Sequence, residues 1–360
     1  MFSVRKNQTG NSSRRPRPLW QVICAHVLAL GVALLAYALP HHVIPRQGQS
    51  LGLRSVRGGA VETAEATPTP AADAAQQAMA AASAAGLTAQ PTLQPTVQPT
   101  EAPAVEGDFR ARWAEMFTSG EVEVTDSTYR SANLSIALTE MRYADSVCHI
   151  ADIYIADIEC LATAFARDQY GTAYTEDPAD IAARWGSIVS LTGDYYGAHD
   201  GGVVIRNGEL YRDDPNANDV CVLYWDGTMR TFSPGDFDAE TELVNGAYQA
   251  WCFGPMLLDA SGQAMTSFNS NVNPKNPRAA IGYYEPGHYC FVMVEGRTDE
   301  SEGASLAELS ELMDSLGCAA AYNLDGGQTA ALLAGTSALG GVESRPVSDI
   351  IMILDRAAGE

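Results

Sequence analysis

The chain has 360 residues, with 44 Asp and Glu against 22 Lys and Arg, for a net charge of −22. From Gly107 onward the imbalance sharpens to 39 acidic against 14 basic residues. Such a surface repels phosphate backbones and anionic lipid, which excludes nucleic acid as a partner, and the length allows one large domain with appended segments.

Residues 1–18 carry Arg5, Lys6, Arg14, Arg15 and Arg17 and no acid, and read as a basic cytoplasmic tail. Residues 19–39 follow as an uncharged, mostly apolar run of 21 residues. A helix of that length spans a bilayer core of roughly 30 Å. Trp20 and Tyr37 stand near its two ends, where aromatic rings favour the interface. The expectation is a transmembrane signal-anchor with the remainder extracytoplasmic, that is, a single-pass protein of the cell membrane. A cleaved signal peptide is the competing reading, because Ala36-Tyr37-Ala38 has the look of a cleavage site. Residues 40–106 form a Pro/Thr/Ala-rich linker with the repeats Gln90-Pro91-Thr92, Gln94-Pro95-Thr96 and Gln98-Pro99-Thr100. Too little apolar surface is present there to offset the entropy of ordering, so the segment is expected to be a disordered, extended stalk.

Residues 107–360 carry the pattern of a folded domain. Leu134, Ile136 and Leu138 alternate as in a strand, and residues 150–164 supply one or two more. Asp177-Pro178 opens a short helix with Ile181 and Trp185 directed inward. Residues 187–191 form a buried strand. Asn207-Gly208 predicts a hairpin with a type I′ turn between Val203-Val204-Ile205 and Glu209-Leu210-Tyr211. Two more hairpins are predicted around Asp226-Gly227 and across residues 285–288. Ser305 and Glu308 form a capping box ahead of Leu306, Leu309, Leu312, Met313 and Leu316, and Gly317 ends that helix. A strand then runs into Asp325, and residues 350–354 form a closing strand. Many hairpins and few helices predict the α+β class, with a mixed, largely antiparallel sheet and a few flanking helices. Cys148, Cys160, Cys221, Cys252, Cys290 and Cys318 allow three disulfides in an extracytoplasmic setting. The pairing chosen is 148–160, 221–252 and 290–318; buried free thiols are the alternative.

The stretch Asn323-Leu324-Asp325-Gly326-Gly327-Gln328-Thr329 places a carboxylate at the end of an apolar strand beside two glycines. Glycines let a ligand approach the main chain, although an ordinary Asp-Gly turn has the same sequence. In order upstream stand Gly193-Asp194-Tyr195-Tyr196, the residues 201–208, Pro277-Arg278-Ala279-Ala280-Ile281-Gly282 and Val294-Glu295-Gly296-Arg297. Together these five segments resemble the phosphodiester glycosidase family over about residues 125–356. The resemblance implies an α+β catalytic domain that cleaves the glycosidic bond of a sugar-1-phosphodiester. Thr192 and Gln328 depart from the family's pattern, which has Asn and a third glycine there.

A phosphate monoester has a second pKa of roughly 6, so it leaves as an anion without needing a general acid. The site must then supply cationic stabilisation and one base or nucleophile. Arginine suits the first task through its planar fork, and aspartate the second. Asp194, Asp325 and Arg278 are therefore the expected catalytic residues. Arg297, Tyr195, Asn323, Gly326, Gly327, Thr329 and Glu295 are the expected substrate contacts, with Glu295 orienting Arg297. Arg206 and His199 are weaker candidates, Arg206 reading as a solvated strand residue. No metal motif is present; cofactors are expected to be none, with a bound calcium as an option. The predicted protein is a hydrolase acting on an extracellular glycan or exopolysaccharide. A non-catalytic carbohydrate-binding or envelope-organising protein on the same fold is the alternative.

Overall fold

Along His288–Val294 alternate residues divide between two cores. Tyr289, Phe291 and Met293 point one way, Cys290, Val292 and Val294 the other. This period of two is the pleat of a strand buried on both faces. In the computed structural model of the chain, which describes residues 26–33, 45–58, 61–63, 106–268, 270–340 and 345–356, the same division recurs in three sheets. One seven-stranded sheet runs Ala320–Asn323, Arg278–Glu285, His288–Val294, Ser146–Ile155, Leu134–Tyr143, Thr128–Arg130 and Glu123–Val124. A five-stranded sheet runs Ser337–Ala338, Leu332–Ala334, Val189–Thr192, Asp349–Ile353 and Leu161–Phe165. A second seven-stranded sheet runs Met229–Phe232, Val220–Tyr224, Ala247–Trp251, Gly202–Arg206, Glu209–Asp214, Leu53–Ser55 and Val61–Thr63.

The three inner faces share one core, in which Ile153, Ile281 and Phe291 meet Leu191, Leu332 and Ile351, and Cys221, Leu223 and Trp251. Each outer face is covered by one short helix. Leu306–Ser315 packs Leu306, Leu309, Leu312 and Met313 against the first sheet. Pro178–Trp185 lays Ile181 and Ala182 on the five-stranded sheet, and Ala239–Val244 lays Leu243 on the third. Each fully buried large side chain contributes about 1.5–3 kcal/mol, so the shared core dominates stability.

The α+β expectation holds in its coarse form, with β structure prevailing. Every pairing between named strands is antiparallel, so the sheets are not mixed, and among the described residues there are three large sheets and one two-stranded pair rather than a single sheet. The Asn207-Gly208 turn has φ of 52° and 81°, as a type I′ hairpin requires. Ser305 and Glu308 form their reciprocal capping box, and the Asp177 carboxylate accepts from the Ala179 amide at 2.9 Å. Trp185 is a correction: it is 44% exposed and its indole donates to Asp168, because position 185 falls on the outer side of so short a helix.

The start of the expected stalk is a second correction. Arg46–Gln47 pairs with Gly171–Thr172, and Leu53–Ser55 pairs with Glu209–Asp214 and with Val61–Thr63. The described residues from Arg46 onward belong to one compact unit, and those before Arg46 to a unit by themselves. Within the latter the described residues 26–33 are helical. Among the described residues no helix is long and apolar enough to cross a membrane. The rest of the expected 19–39 span, and the repeats at 90–100, lie outside the described residues. The six cysteines from 148 to 318 are free and buried, not disulfide-bonded; the sulfur atoms of Cys290 and Cys318 lie 3.7 Å apart.

Candidate active site

Asp325 stands where two sheets meet. The strand Ala320–Asn323 ends in the first sheet, pairing Asn323 with Ala280, and the Leu324 amide donates to Ala279 O. One residue later the Asp325 amide donates instead to Gly193 O, at the end of the Val189–Thr192 strand of the five-stranded sheet. The chain then turns sharply. A Cβ on Gly326 would lie 2.7 Å from Pro277 O, and Gly327 has φ of 65° with its missing Cβ 3.0 Å from Arg297 Nη2. Glycine at both positions therefore lets one strand's end and the Arg297 guanidinium close on the turn that follows Asp325.

Asp325, Gly326 and Gly327 line a cleft of about 130 Å³ with Arg278, Arg297, Asn276, Phe253 and Val272. The Asp325 Oδ2 atom is buried and has no hydrogen-bond partner among the described residues. Burial pushes the Asp325 carboxyl up to about 6, and the neighbouring charge of Asp194 adds to this; Thr329 and Arg345 pull it down. A carboxyl so tuned exchanges protons near neutrality. Among the described residues the one guanidinium within ion-pair distance is that of Arg345, with Nη2 3.9 Å from Oδ2.

Asp194 has the opposite environment. It is 1% exposed and does not line the cleft. Its Oδ1 accepts from Arg206 Nη2 at 2.7 Å and from the Tyr196 amide, and its Oδ2 accepts from the Cys252 amide at 2.8 Å. Both aspartates are expected catalytic residues with their division of roles left open; in the structure Asp325 lines the cleft, while the Asp194 carboxylate is fully engaged inside the protein. Arg206, expected to be solvated, is buried and joins Asp194 to Asp349, which accepts from Nε at 3.0 Å and Nη2 at 2.9 Å. Burial disfavours the Arg206 cation, but the two carboxylates outweigh it and hold the guanidinium charged. Burial raises Asp349 strongly; Arg206 opposes that and Asp194 reinforces it. Gly193 is required here for space, since its Cβ would lie 2.2 Å from Asp349 Oδ1.

Arg278 lines the cleft but is 3% exposed. Its Nε donates to Ala304 O at 2.8 Å, and its Nη2 donates to the carbonyls of Val272, Asn273 and Pro274. Two of the three guanidinium nitrogens expected to meet a ligand phosphate are thus engaged with backbone. Burial lowers its pKa to about 10, with no carboxylate to reverse the effect, so an uncompensated cation sits at the cleft wall and favours an anionic ligand. Arg297 is held by Asn276, whose Oδ1 accepts from Nε at 3.2 Å and Nη2 at 2.8 Å. Glu295 does not orient Arg297; it pairs with His149 Nε2 at 2.8 Å.

The remaining expected contacts divide. Tyr195 is half-buried, adopts φ of 53°, and its ring lies 4.6 Å below the Arg345 guanidinium. Tyr196 is core. Asn323 is buried, with Nδ2 donating to Gly254 O at 2.7 Å, which fixes the segment that carries Phe253. The Thr329 hydroxyl donates to Gly326 O and braces the turn. His199 is exposed and outside the cleft, and among the described residues no group of three or more His, Cys, Asp or Glu is placed to hold a metal such as calcium. Sequence reasoning missed Phe253, Asn276, Arg345 and Asp349. The scarcity of cations beyond Gly107 singles out Arg345 as readily as Arg278. An acid opening the apolar run Ile350-Ile351-Met352-Ile353 is the signal for Asp349.

Residues 186–354 match the model of the phosphodiester glycosidase family, a family of glycosidase-type hydrolases, and that stretch holds every expected site residue. A curated relative, the SPbeta prophage-derived uncharacterized protein YomE of Bacillus subtilis, is 30% identical over 166 residues, covering 44% of this chain and 26% of YomE. The chain thus spans about a quarter of the length of that relative. Among solved structures, the auto-inhibited catalytic domain of zebrafish N-acetylglucosamine-1-phosphodiester alpha-N-acetylglucosaminidase aligns at TM-score 0.49 and 18% identity, over 66% of this chain and 88% of that one. A hypothetical protein from Synechocystis aligns at TM-score 0.49 and 13% identity, over 65% and 64% of the two chains.

Proposed function

We propose that this chain hydrolyses the sugar–phosphate glycosidic bond of a sugar-1-phosphodiester, with Asp325 as the base. The observation that carries the reading is the buried Asp325 Oδ2, without a hydrogen-bond partner, in a cleft walled by the uncompensated Arg278 and by Arg297. Water bound beside Asp325 gives its proton to Oδ2 as its oxygen attacks the anomeric carbon. The bond from that carbon to the phosphate oxygen breaks, and the phosphate monoester leaves as an anion. Arg297 meets the departing charge, and Arg278 adds a fixed positive potential from behind. One carboxylate suffices because the leaving group needs no proton. Asp194 serves the site from within, holding Arg206 and, beside the Gly193 carbonyl, the position of the Asp325 main chain.

The substrate class we assign is a surface glycan or polysaccharide bearing sugar-1-phosphodiester links, met outside the cytoplasm. Residues 19–39 serve as the membrane anchor in this reading. Exposed apolar side chains on the described helical stretch, among them Val27, Leu28 and Leu30, support it. The test is release of free sugar from a panel of sugar-1-phosphodiesters by the full chain, beside Asp325→Asn and Arg297→Ala. The native chain is expected to release sugar and Asp325→Asn to lose about 10²–10⁴-fold in rate, the usual share of a general base. Binding of the sugar phosphates with no release by any form would instead support a non-catalytic carbohydrate-binding module.

A further inference from the structure

Four arginines surround Asp325 and Asp194, and they are not equivalent. Arg206 and Arg278 are buried with their donors on carboxylates or carbonyls, and Arg297 is held by Asn276. The Arg345 guanidinium makes no hydrogen bond among the described residues, is 44% exposed, and still has a defined place. It lies over the Tyr195 ring at 4.6 Å and within 3.9 Å of Asp325 Oδ2, and its main chain is tied to the glycine turn by the Arg345 amide donating to Gln328 O at 2.8 Å. Tyr195 and Arg297 both occupy the left-handed region, with φ of 53° and 63°. A non-glycine residue there costs of order 1–3 kcal/mol and persists only where surrounding contacts enforce it, which is a mark of functional sites.

We infer that Arg345, shelved on Tyr195, is the mobile half of a two-arginine phosphate clamp whose fixed half is Arg297, and that it selects anionic over neutral leaving groups. This rests on the reading of the cleft as a phosphodiester glycosidase site. Without ligand, Arg345 leans on the Asp325 carboxylate. An arriving phosphate offers several oxygens in place of one distant carboxylate oxygen and draws the guanidinium away, while the Tyr195 ring supports one of its faces. Asp325 is thereby released from its countercharge at the moment it must accept a proton.

The test uses the full chain with Arg345→Ala, Arg345→Lys and Tyr195→Leu, two substrates of the same sugar and one binding probe. The substrates are a sugar-1-phosphodiester and the neutral para-nitrophenyl glycoside; the probe is inorganic phosphate, followed by calorimetry. Loss of a charge-assisted contact predicts a fall of about 10- to 100-fold in kcat/KM on the phosphodiester for Arg345→Ala. The fall on the nitrophenyl glycoside is expected to be at least tenfold smaller, and phosphate affinity to drop about tenfold. Arg345→Lys recovers part of each loss and Tyr195→Leu lies between. Equal losses on the two substrates, or unchanged phosphate affinity in Arg345→Ala, overturn the assignment. If the native chain cleaves neither substrate yet binds phosphate, and Arg345→Ala does not, the hydrolase reading fails while the clamp stands. If phosphodiester cleavage is native-like in Arg345→Ala, the clamp fails while the hydrolase reading stands.

Discussion

Two acid–arginine clusters lie back to back in this molecule, joined by the Asp325 amide on the Gly193 carbonyl. In the first, Asp194, Arg206 and Asp349 are all buried, and both Asp194 oxygens and the Arg206 fork are hydrogen-bonded. In the second, Asp325 is nearly as buried, but among the described residues its Oδ2 has no hydrogen-bond partner and meets only the Arg345 guanidinium at 3.9 Å, while Arg278 and Arg297 are held by neutral groups. The residue types are the same. What differs is whether acid and guanidinium meet at hydrogen-bond distance, since Asp349 Oδ1 in the first cluster also has no hydrogen-bond partner among the described residues. A buried cluster whose charges are paired fixes geometry; one whose charges stand apart retains free energy to give to a ligand.

Removing the cation from the paired cluster has the largest expected effect. Arg206→Met leaves two buried carboxylates without a cation and is expected to destabilise the domain by about 3–5 kcal/mol, read from urea unfolding. A change below about 1 kcal/mol would erase the distinction between the clusters.

Asp325→Asn sharpens the comparison from the other side, because its fold effect has the opposite sign. With the carboxyl raised from 3.8 to about 6 by burial, the native fold carries a penalty of up to about 3 kcal/mol. The unfolded chain ionises first, so the penalty is absent below about pH 4, grows between pH 4 and 6, and is complete above pH 6. Asp325→Asn is therefore expected to unfold at higher urea than the native chain at pH 7 and at nearly the same urea at pH 4. Native activity should rise with pH through about 6 and level off, as a base must be ionised.

Arg278→Ala falls between the clusters. Loss of donors to the carbonyls of residues 272–274 and 304 is expected to cost about 1–3 kcal/mol of stability, with KM for a phosphodiester raised as the wall loses its charge. A KM effect without a stability effect would make Arg278 a direct ligand after all. The smallest change is Gly327→Ala. A methyl at φ of 65°, 3.0 Å from Arg297 Nη2, is expected to cost about 1 kcal/mol and to weaken phosphodiester binding several-fold through Arg297.

The local elements were legible because their determinants are local. The Asn207-Gly208 turn, the Ser305–Glu308 box and the period-two strands each depend on residues a few positions apart. Trp185 was misread because one short helix offers too few turns to fix which edge faces inward. Composition assigns residues 46–55 to the stalk because it does not encode the backbone partners their short strands take, residues 171–172, 209 and 61–63.

From sequence alone came the α+β class, the glycine turn after Asp325 and the candidates Asp194, Asp325, Arg278 and Arg297. Only the tertiary structure set their environments apart and brought in Arg345 and Asp349. Asp194 and Asp325 have the same intrinsic affinity for protons, and Arg206, Arg278, Arg297 and Arg345 the same fork. Their differences arise from which distant groups fill their hydrogen bonds and how much water remains beside them. Those partners, Cys252 for Asp194 and Asp349 for Arg206, arrive from 58 and 143 residues away. Such separations leave no trace in local pattern, so the division between the fully engaged Asp194 and the cleft-lining Asp325 is written only in the folded chain.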